Sequence, residues 1–343
     1  GRPGPWVGAS ARRVGPEADR SGAGAAPLPE GEADPPAVPG ADRSAAATAA
    51  RPNSWRIPLN PGSPWAARHS GEGTPPGPAM YGPLMATYAN GIPSWVDLGS
   101  PDPDASAAFY RGLFGWTTTE PGPVEETGGY RMFLKGDKVV AGLGPNQGGA
   151  PPSWTTYLAV DDADKTAELV KGNGGMVFVE PMDVMDAGRM AIFADPTGAA
   201  FGVWQAGEHT GADIKGEEGS LIWNELMTRD VDGAKRFYST AFGVEPTPFP
   251  QAEGPEYTVL NVNGQGVAGI LSMPDDMPAE MPSVWVTYFA TTDTDATVAN
   301  ATSLGASVMT EPFDVPTVGR IAVLTGPHGE NFAVMKPDPQ MQP

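Results

Sequence analysis

Three features of the sequence predict an α+β fold built twice over. The segment DASAAFYRGLFGW at 104–116 returns as DGAKRFYSTAFGV at 232–244, with Asp, Ala, Phe-Tyr and Phe-Gly at the same places. Each copy carries two helical stretches set among short extended runs, too few helices for a doubly wound parallel sheet. At 343 residues the chain is also long enough for two domains that each bury a core.

The elements follow in order. An extended run, SWVDLGSPD, leads into a helix with Asp102 or Asp104 as N-cap, an apolar stripe of Ala105, Ala108, Phe109, Leu113 and Phe114, and Gly115 as its stop. LIWNELMTRD leads the same way into a helix with Ala234, Phe237, Ala241 and Phe242, stopped by Gly243. Across the two copies Trp95 matches Trp223, Asp97 matches Glu225, and Tyr130 matches Tyr257. VAGL at 140–143 answers VAGI at 267–270, and PSWTTY at 152–157 answers PSVWVTY at 282–288. Two further helical stretches, DADKTAELVKGNGG and DTDATVANATSLGA, precede the paired Arg189 and Arg320. ADPTGAAFGVW then matches TGPHGENFAVM. The duplication spans 92–206 and 220–336, each unit reading strand, helix, three strands, twice.

Residues 1–90 behave differently. About a third are Gly or Pro and no period emerges, so the segment is expected to be a disordered extension without a functional role. It holds eight Arg against seven acids, which leaves 13 basic against 34 acidic residues in the remainder of a chain of net charge −20. A body so acidic is a poor partner for nucleic acid. The absence of cysteine excludes disulfides, thiolate metal ligands and a Cys nucleophile. No apolar run approaches the roughly 20 residues of a membrane span, and no signal-type apolar stretch opens the chain, so a soluble, cytoplasmic protein with no membrane partner is expected. The expected organisation is an extension (1–90), a first domain (91–207), a linker (208–218), a second domain (219–337) and a tail (338–343).

The D..A..FY...FGW helix, the V.DDAD.....V...GG stretch and the DPTGA.FGVW turn, in order and twice over, resemble the vicinal oxygen chelate superfamily. That superfamily holds glyoxalase I, the bleomycin-resistance proteins and the extradiol dioxygenases. The resemblance covers about 245 residues. It implies tandem glyoxalase-like domains of two βαβββ modules each, arranged as an intramolecular pseudo-dimer that is monomeric or weakly dimeric. Tandem members are often labelled glyoxalase or hydroxylase. Metal-using members place ligands at positions that here fall on Trp95, Thr155, Trp223 and Val286, and Glu at positions that fall on Gly142, Gly202, Gly269 and Ala333. No metal and no cofactor is therefore expected. The Gly and Ala residues are expected to remove bulk from each cleft floor and suit a large flat guest, as in the metal-free bleomycin-resistance branch.

The expected ligand-binding residues are Trp95, Asp97, Tyr157, Arg189 and Trp204 in the first unit and Trp223, Glu225, Tyr288 and Arg320 in the second. Trp95 and Trp223 read either as stacking walls or as ordinary core. Asp97 and Glu225 share their parity and read as acceptors for a ligand ammonium, as general bases, or as ion-pair partners of Arg189 or Arg320. Trp154 and Trp285 fall just outside the cleft, and His328 reads as a solvated turn residue. The expected function is metal-independent binding of a bulky, cationic aromatic natural product in antibiotic resistance or biosynthesis. The alternative is a cofactorless lyase, isomerase or hydroxylase-type enzyme with Asp97 or Glu225 as base.

Overall fold

The computed structural model describes residues 88–146, 150–249, 256–274 and 277–339, so the expected extension lies almost wholly outside the described residues. The first half runs β1 (Pro93–Ser100), α1 (Pro103–Phe114), β2 (Thr117–Thr118), α2 (Val124–Thr127), β3 (Arg131–Lys135) and β4 (Lys138–Pro145). A second module follows: β5 (Ser153–Ala159), α3 (Ala163–Gly172), β6 (Met176–Val184), β7 (Gly188–Ala194) and β8 (Ala200–Ala206). The second half repeats this as β9 (Leu221–Thr228), α4 (Val231–Phe242), β10 (Glu245–Pro248), β11 (Tyr257–Val262) and β12 (Gln265–Ser272). It closes with β13 (Val284–Ala290), α5 (Thr294–Ser303), β14 (Ser307–Val315), β15 (Gly319–Thr325) and β16 (Asn331–Pro337). These are the paired βαβββ modules expected, with the four-residue α2 as an unforeseen addition. No helix among the described residues is long and apolar enough to cross a membrane.

Each half forms one eight-stranded sheet, in the orders β2-β3-β4-β1-β5-β8-β7-β6 and β10-β11-β12-β9-β13-β16-β15-β14. The modules join at the centre, where β1 runs antiparallel to β5 with Trp95 opposite Tyr157 and Asp97 opposite Thr155. The second sheet repeats this register with Trp223 opposite Tyr288 and Glu225 opposite Val286. Every long helix starts on an aspartate whose carboxylate accepts from a first-turn N–H: Asp102, Asp162, Asp230 and Asp293. α1 and α4 both end on a left-handed glycine, Gly115 and Gly243, a conformation that costs a residue without Cβ nothing.

The helices seat on the sheet faces opposite the clefts, and there the two halves share their cores. One cluster joins Val170, Phe193 and Phe201 of the first half to Phe237, Tyr238 and Phe242 of the second, and its mirror joins Phe109, Tyr110 and Trp116 to Phe289, Phe332 and Val334. In α1 the buried stripe is Ser106, Ala107, Phe109 and Tyr110, while Ala105 and Ala108 are exposed. The helix is rolled toward its tyrosine because that hydroxyl has work on the other half. The Tyr110 hydroxyl donates to Glu330 Oε1 at 3.2 Å while accepting from Trp154 Nε1 at 2.9 Å. The mirror contact has Tyr238 donating to Asp195 Oδ2 at 3.0 Å and accepting from Trp285 Nε1 at 2.9 Å.

The two acids sit at opposite ends of equivalent turns. Gly326 stands where the first half has Asp195, and a Cβ there would fall 2.1 Å from Glu330 Oε1, so the longer Glu side chain reaches back to the place that Asp195 occupies in its own half. Tyr238→Phe leaves Asp195 Oδ2 and Trp285 Nε1 in a buried seam without this partner. The expected loss is about 1–3 kcal/mol of unfolding free energy in urea, and an unchanged midpoint would remove the seam from the account.

Candidate functional site

Strand alternation sends Trp95 and Asp97 of β1, Thr155 and Tyr157 of β5, and Gly202 and Trp204 of β8 to the face away from the helices. In the first half Trp95, Tyr157, Ala187, Trp204 and Ala212 form one buried cluster on that face, with Met132, Met190 and Ile192 packed at its edge. Asp97 lies among them. Its Oδ2 accepts from the Tyr157 hydroxyl at 3.0 Å and from the Tyr130 hydroxyl at 3.3 Å, and Tyr130 accepts in turn from Trp95 Nε1 at 3.3 Å. Burial pushes the carboxyl up to about 6 against the opposing pull of those hydroxyls and of Thr155.

The second half rebuilds the same network one methylene longer. Glu225 Oε1 accepts from the Tyr288 hydroxyl at 2.8 Å, and the carboxylate is also hydrogen-bonded by Tyr257, which accepts from Trp223 Nε1 at 2.8 Å. Burial pushes Glu225 up to about 7. Each cleft therefore holds a carboxyl that titrates near neutrality between two tyrosine hydroxyls, against a tryptophan.

Tyr130 and Tyr257, aligned in the repeat but given no role there, are thus members of the site, and they change the meaning of the glycines. A Cβ on Gly142 would fall 1.8 Å from Tyr130 Oη, one on Gly202 2.3 Å from Tyr157 Cδ1, and one on Gly269 2.0 Å from Tyr257 Oη. The expectation that these glycines empty the cleft floor is corrected: tyrosine rings from neighbouring strands lie in the space. A glutamate at those positions would have to expel a ring, so the residues at the family's ligand positions do not fit a bound metal. Among the described residues no group of three or more His, Cys, Asp or Glu could hold one.

Arg189 and Arg320 stand apart from the clefts. Arg189 grips Asp164 through Nε and Nη2 at 2.8 and 2.9 Å and Asp183 through Nη1 at 2.8 Å. Arg320 grips Asp295 and Asp314 in the same way. Both pairs tie a helix start to the hairpin beside it on the helix face, leaving the cleft carboxyls to the tyrosines. Trp154 and Trp285 lie in the seam between the halves, outside the clefts as expected.

Trp204 shapes the first cleft only, since its counterpart is Met335. Its Nε1 donates to the His209 carbonyl at 2.7 Å, and the His209 ring stands edge-on to Trp95 at 4.5 Å. His209 belongs to the segment between the halves, whose N–H groups at Gly207, His209 and Ala212 donate to the carbonyls of Ala187 and Ser94. Val139 N–H donates to Asp213 Oδ2 at 2.7 Å. The segment straps the Trp95 end of the first cleft, and burial pushes His209 down to about 4, so its ring is neutral at neutral pH. Nothing in the spacing of three single histidines signals this placement.

Comparison with known proteins agrees with this geometry. The Mycobacterium tuberculosis (strain CDC 1551 / Oshkosh) protein CFP32, whose name provisionally calls it a glyoxylase, is 44% identical over 263 residues, 75% of this chain and 99% of its own. The Streptomyces peucetius anthracycline biosynthesis protein DnrV is 42% identical over 270 residues, 74% of this chain and 95% of its own. Among solved structures, the 2,3-dioxygenase LapB from Pseudomonas sp. KL28 superposes with a TM-score of 0.51 at 12% identity, over 75% of this chain and 97% of that one, which speaks to the fold alone. The model of the Glyoxalase/Bleomycin resistance protein/Dioxygenase superfamily matches residues 92–203 and again 220–334, and the chain belongs to that superfamily.

Proposed function

We propose that the protein binds a bulky, flat, cationic natural product without a metal, as an accessory to its biosynthesis or as a sequestering protein in resistance. The observation that carries the reading is the carboxyl held between two tyrosine hydroxyls beside a tryptophan, in a cleft where Trp95, Thr155, Gly142 and Gly202 stand at the positions a metal-using relative would need for its ligands. An apolar aromatic wall takes a flat ring system, and an ionised Asp97 in a partly dry cleft takes an ammonium more strongly than one in water. The name of the Streptomyces peucetius relative ties that protein to anthracyclines, molecules of this outline.

A titration of tryptophan fluorescence with daunorubicin in excess EDTA tests it. Saturable quenching is expected, because Trp95 and Trp204 line the cleft. Quenching that disappears with the chelator, or none at all, contradicts the reading.

The raised Asp97 and Glu225 carboxyls favour a second reading, a cofactorless enzyme with one of them as general base, because a base titrating near the working pH is the efficient one. Turnover of a bound guest that Asp97→Asn or Glu225→Gln abolishes would choose it over binding alone.

A further inference from the structure

The two clefts share a network and buried aromatic walls, Trp95 and Tyr157 in one and Trp223 and Tyr288 in the other, but differ in the burial of the residues around them. Four equivalent pairs line them: Asp97 and Glu225, Thr155 and Val286, Met132 and Val259, Met190 and Ile321. In every pair the first-half residue is half-buried and the second-half residue is buried, with Glu225 at 6%, Val286 at 8%, Val259 at 0% and Ile321 at 7% exposure.

The cause lies in the connection between the modules. From the end of β4 to the start of β5 it takes seven residues, and from the end of β12 to the start of β13 it takes eleven. The longer segment brings in Met273 and Met277, both buried, and Met281, all packed in one cluster with Trp223, Met227, Tyr288 and Met335. Arg229, standing where the first half has Pro101, fixes it in place. Its guanidinium donates to the carbonyls of Pro278 at 2.7 Å, Met281 at 2.8 Å and Met277 at 3.3 Å, and Met273 N–H donates to the Thr228 carbonyl at 2.9 Å. Methionine is suited to such filling, being unbranched and able to fit irregular gaps.

We propose that the Asp97 cleft is the one working ligand site of the chain, and that the Glu225 cleft is plugged by its own methionines and serves as core. The inference rests on the proposed binding function for its ligand, and on burial alone for its choice of cleft. Asp97 is half-buried and lies two residues along β1 from Trp95, whose end of the cleft the strap through His209 covers. A guest therefore enters past Met132 and Met190 with its flat body leading toward Trp95 and Trp204 and its cationic group coming to rest at Asp97.

Methionine oxidation by dilute hydrogen peroxide, read residue by residue by mass spectrometry with and without saturating daunorubicin, tests it on the full chain. In the free protein Met132 and Met190 are expected to oxidise at least fivefold faster than Met273, Met277 and Met335, because peroxide must reach the sulfur. Equal rates overturn the proposal without touching the question of ligand. With daunorubicin bound, Met132 and Met190 are expected to be protected at least threefold, at one equivalent per chain. Protection of Met273 and Met277, or two equivalents bound, overturns it. If daunorubicin does not bind, the rates in the free protein still decide which cleft is open, and the failure falls on the proposed function alone.

Discussion

At pH 8 the Glu225→Gln protein is expected to be more stable to urea than the wild type by about 3 kcal/mol, with the gain vanishing near pH 4. The sign follows from the proton count. Glu225 titrates near 4.5 in an unfolded chain and is pushed to about 7 in the folded one by burial. Between those values the native state holds a proton that the unfolded state has released, so wild-type stability falls as pH rises and the full penalty stands above pH 7. At about 1.4 kcal/mol per pH unit this interval gives the figure quoted. Glutamine keeps an acceptor for the Tyr288 hydroxyl and can turn its amide N–H to the Tyr257 oxygen, so it escapes the ionisation cost while keeping a hydrogen bond to each tyrosine. Urea melts of both proteins at pH 4, 6 and 8 check it, and a difference that does not change with pH would show that Glu225 is not held in a dry environment.

Gly202→Ala is expected to cost about 3 kcal/mol, the upper range for forcing one methyl into a packed core. The added Cβ would meet Tyr157 at Cδ1, Cε1 and Cγ, 2.3, 2.4 and 2.8 Å away, which is the body of the ring rather than a movable tip. The ring cannot swing clear cheaply, since it is buried and its hydroxyl is held on Asp97. The same substitution should raise the Asp97 pKa above about 6, because the Tyr157 hydrogen bond is the strongest of those opposing its rise. Denaturation and a carboxyl NMR titration of one sample read both effects. A variant as stable as the wild type with an unmoved Asp97 would mean that the ring has room to yield.

Much of this is legible in the sequence alone. The repeat fixes which residues correspond, and the period of two along SWVDLGS places Trp95 with Asp97 and Trp223 with Glu225, as the sheets bear out. The paired modules follow from the order of the motifs. Harder to read were relations that depend on which strands become neighbours. Tyr157 fills the space over Gly202 because β5 and β8 pair in parallel with those two residues in register, a pairing between segments 45 residues apart in sequence. Arg189 could reach several acids, and only the seating of α3 on β7 gives it Asp164 instead of Asp97. The strap through His209 and the plug through Met277 are irregular segments without a period, so their destinations are set by the surfaces they cover.

The central claim is that an ionised Asp97, and not a metal, holds the cationic end of an aromatic guest. Calorimetric titration of daunorubicin in EDTA from pH 5 to pH 8, with wild type beside Asp97→Asn, measures it directly. The wild-type affinity should rise close to tenfold per unit below pH 6 and level off above it, as Asp97 loses its proton while the guest amine keeps its own. Asp97→Asn should bind at least tenfold more weakly at pH 7.5 and show a flat profile. A wild-type affinity that ignores pH, or that appears only when a divalent metal is restored, would contradict the account.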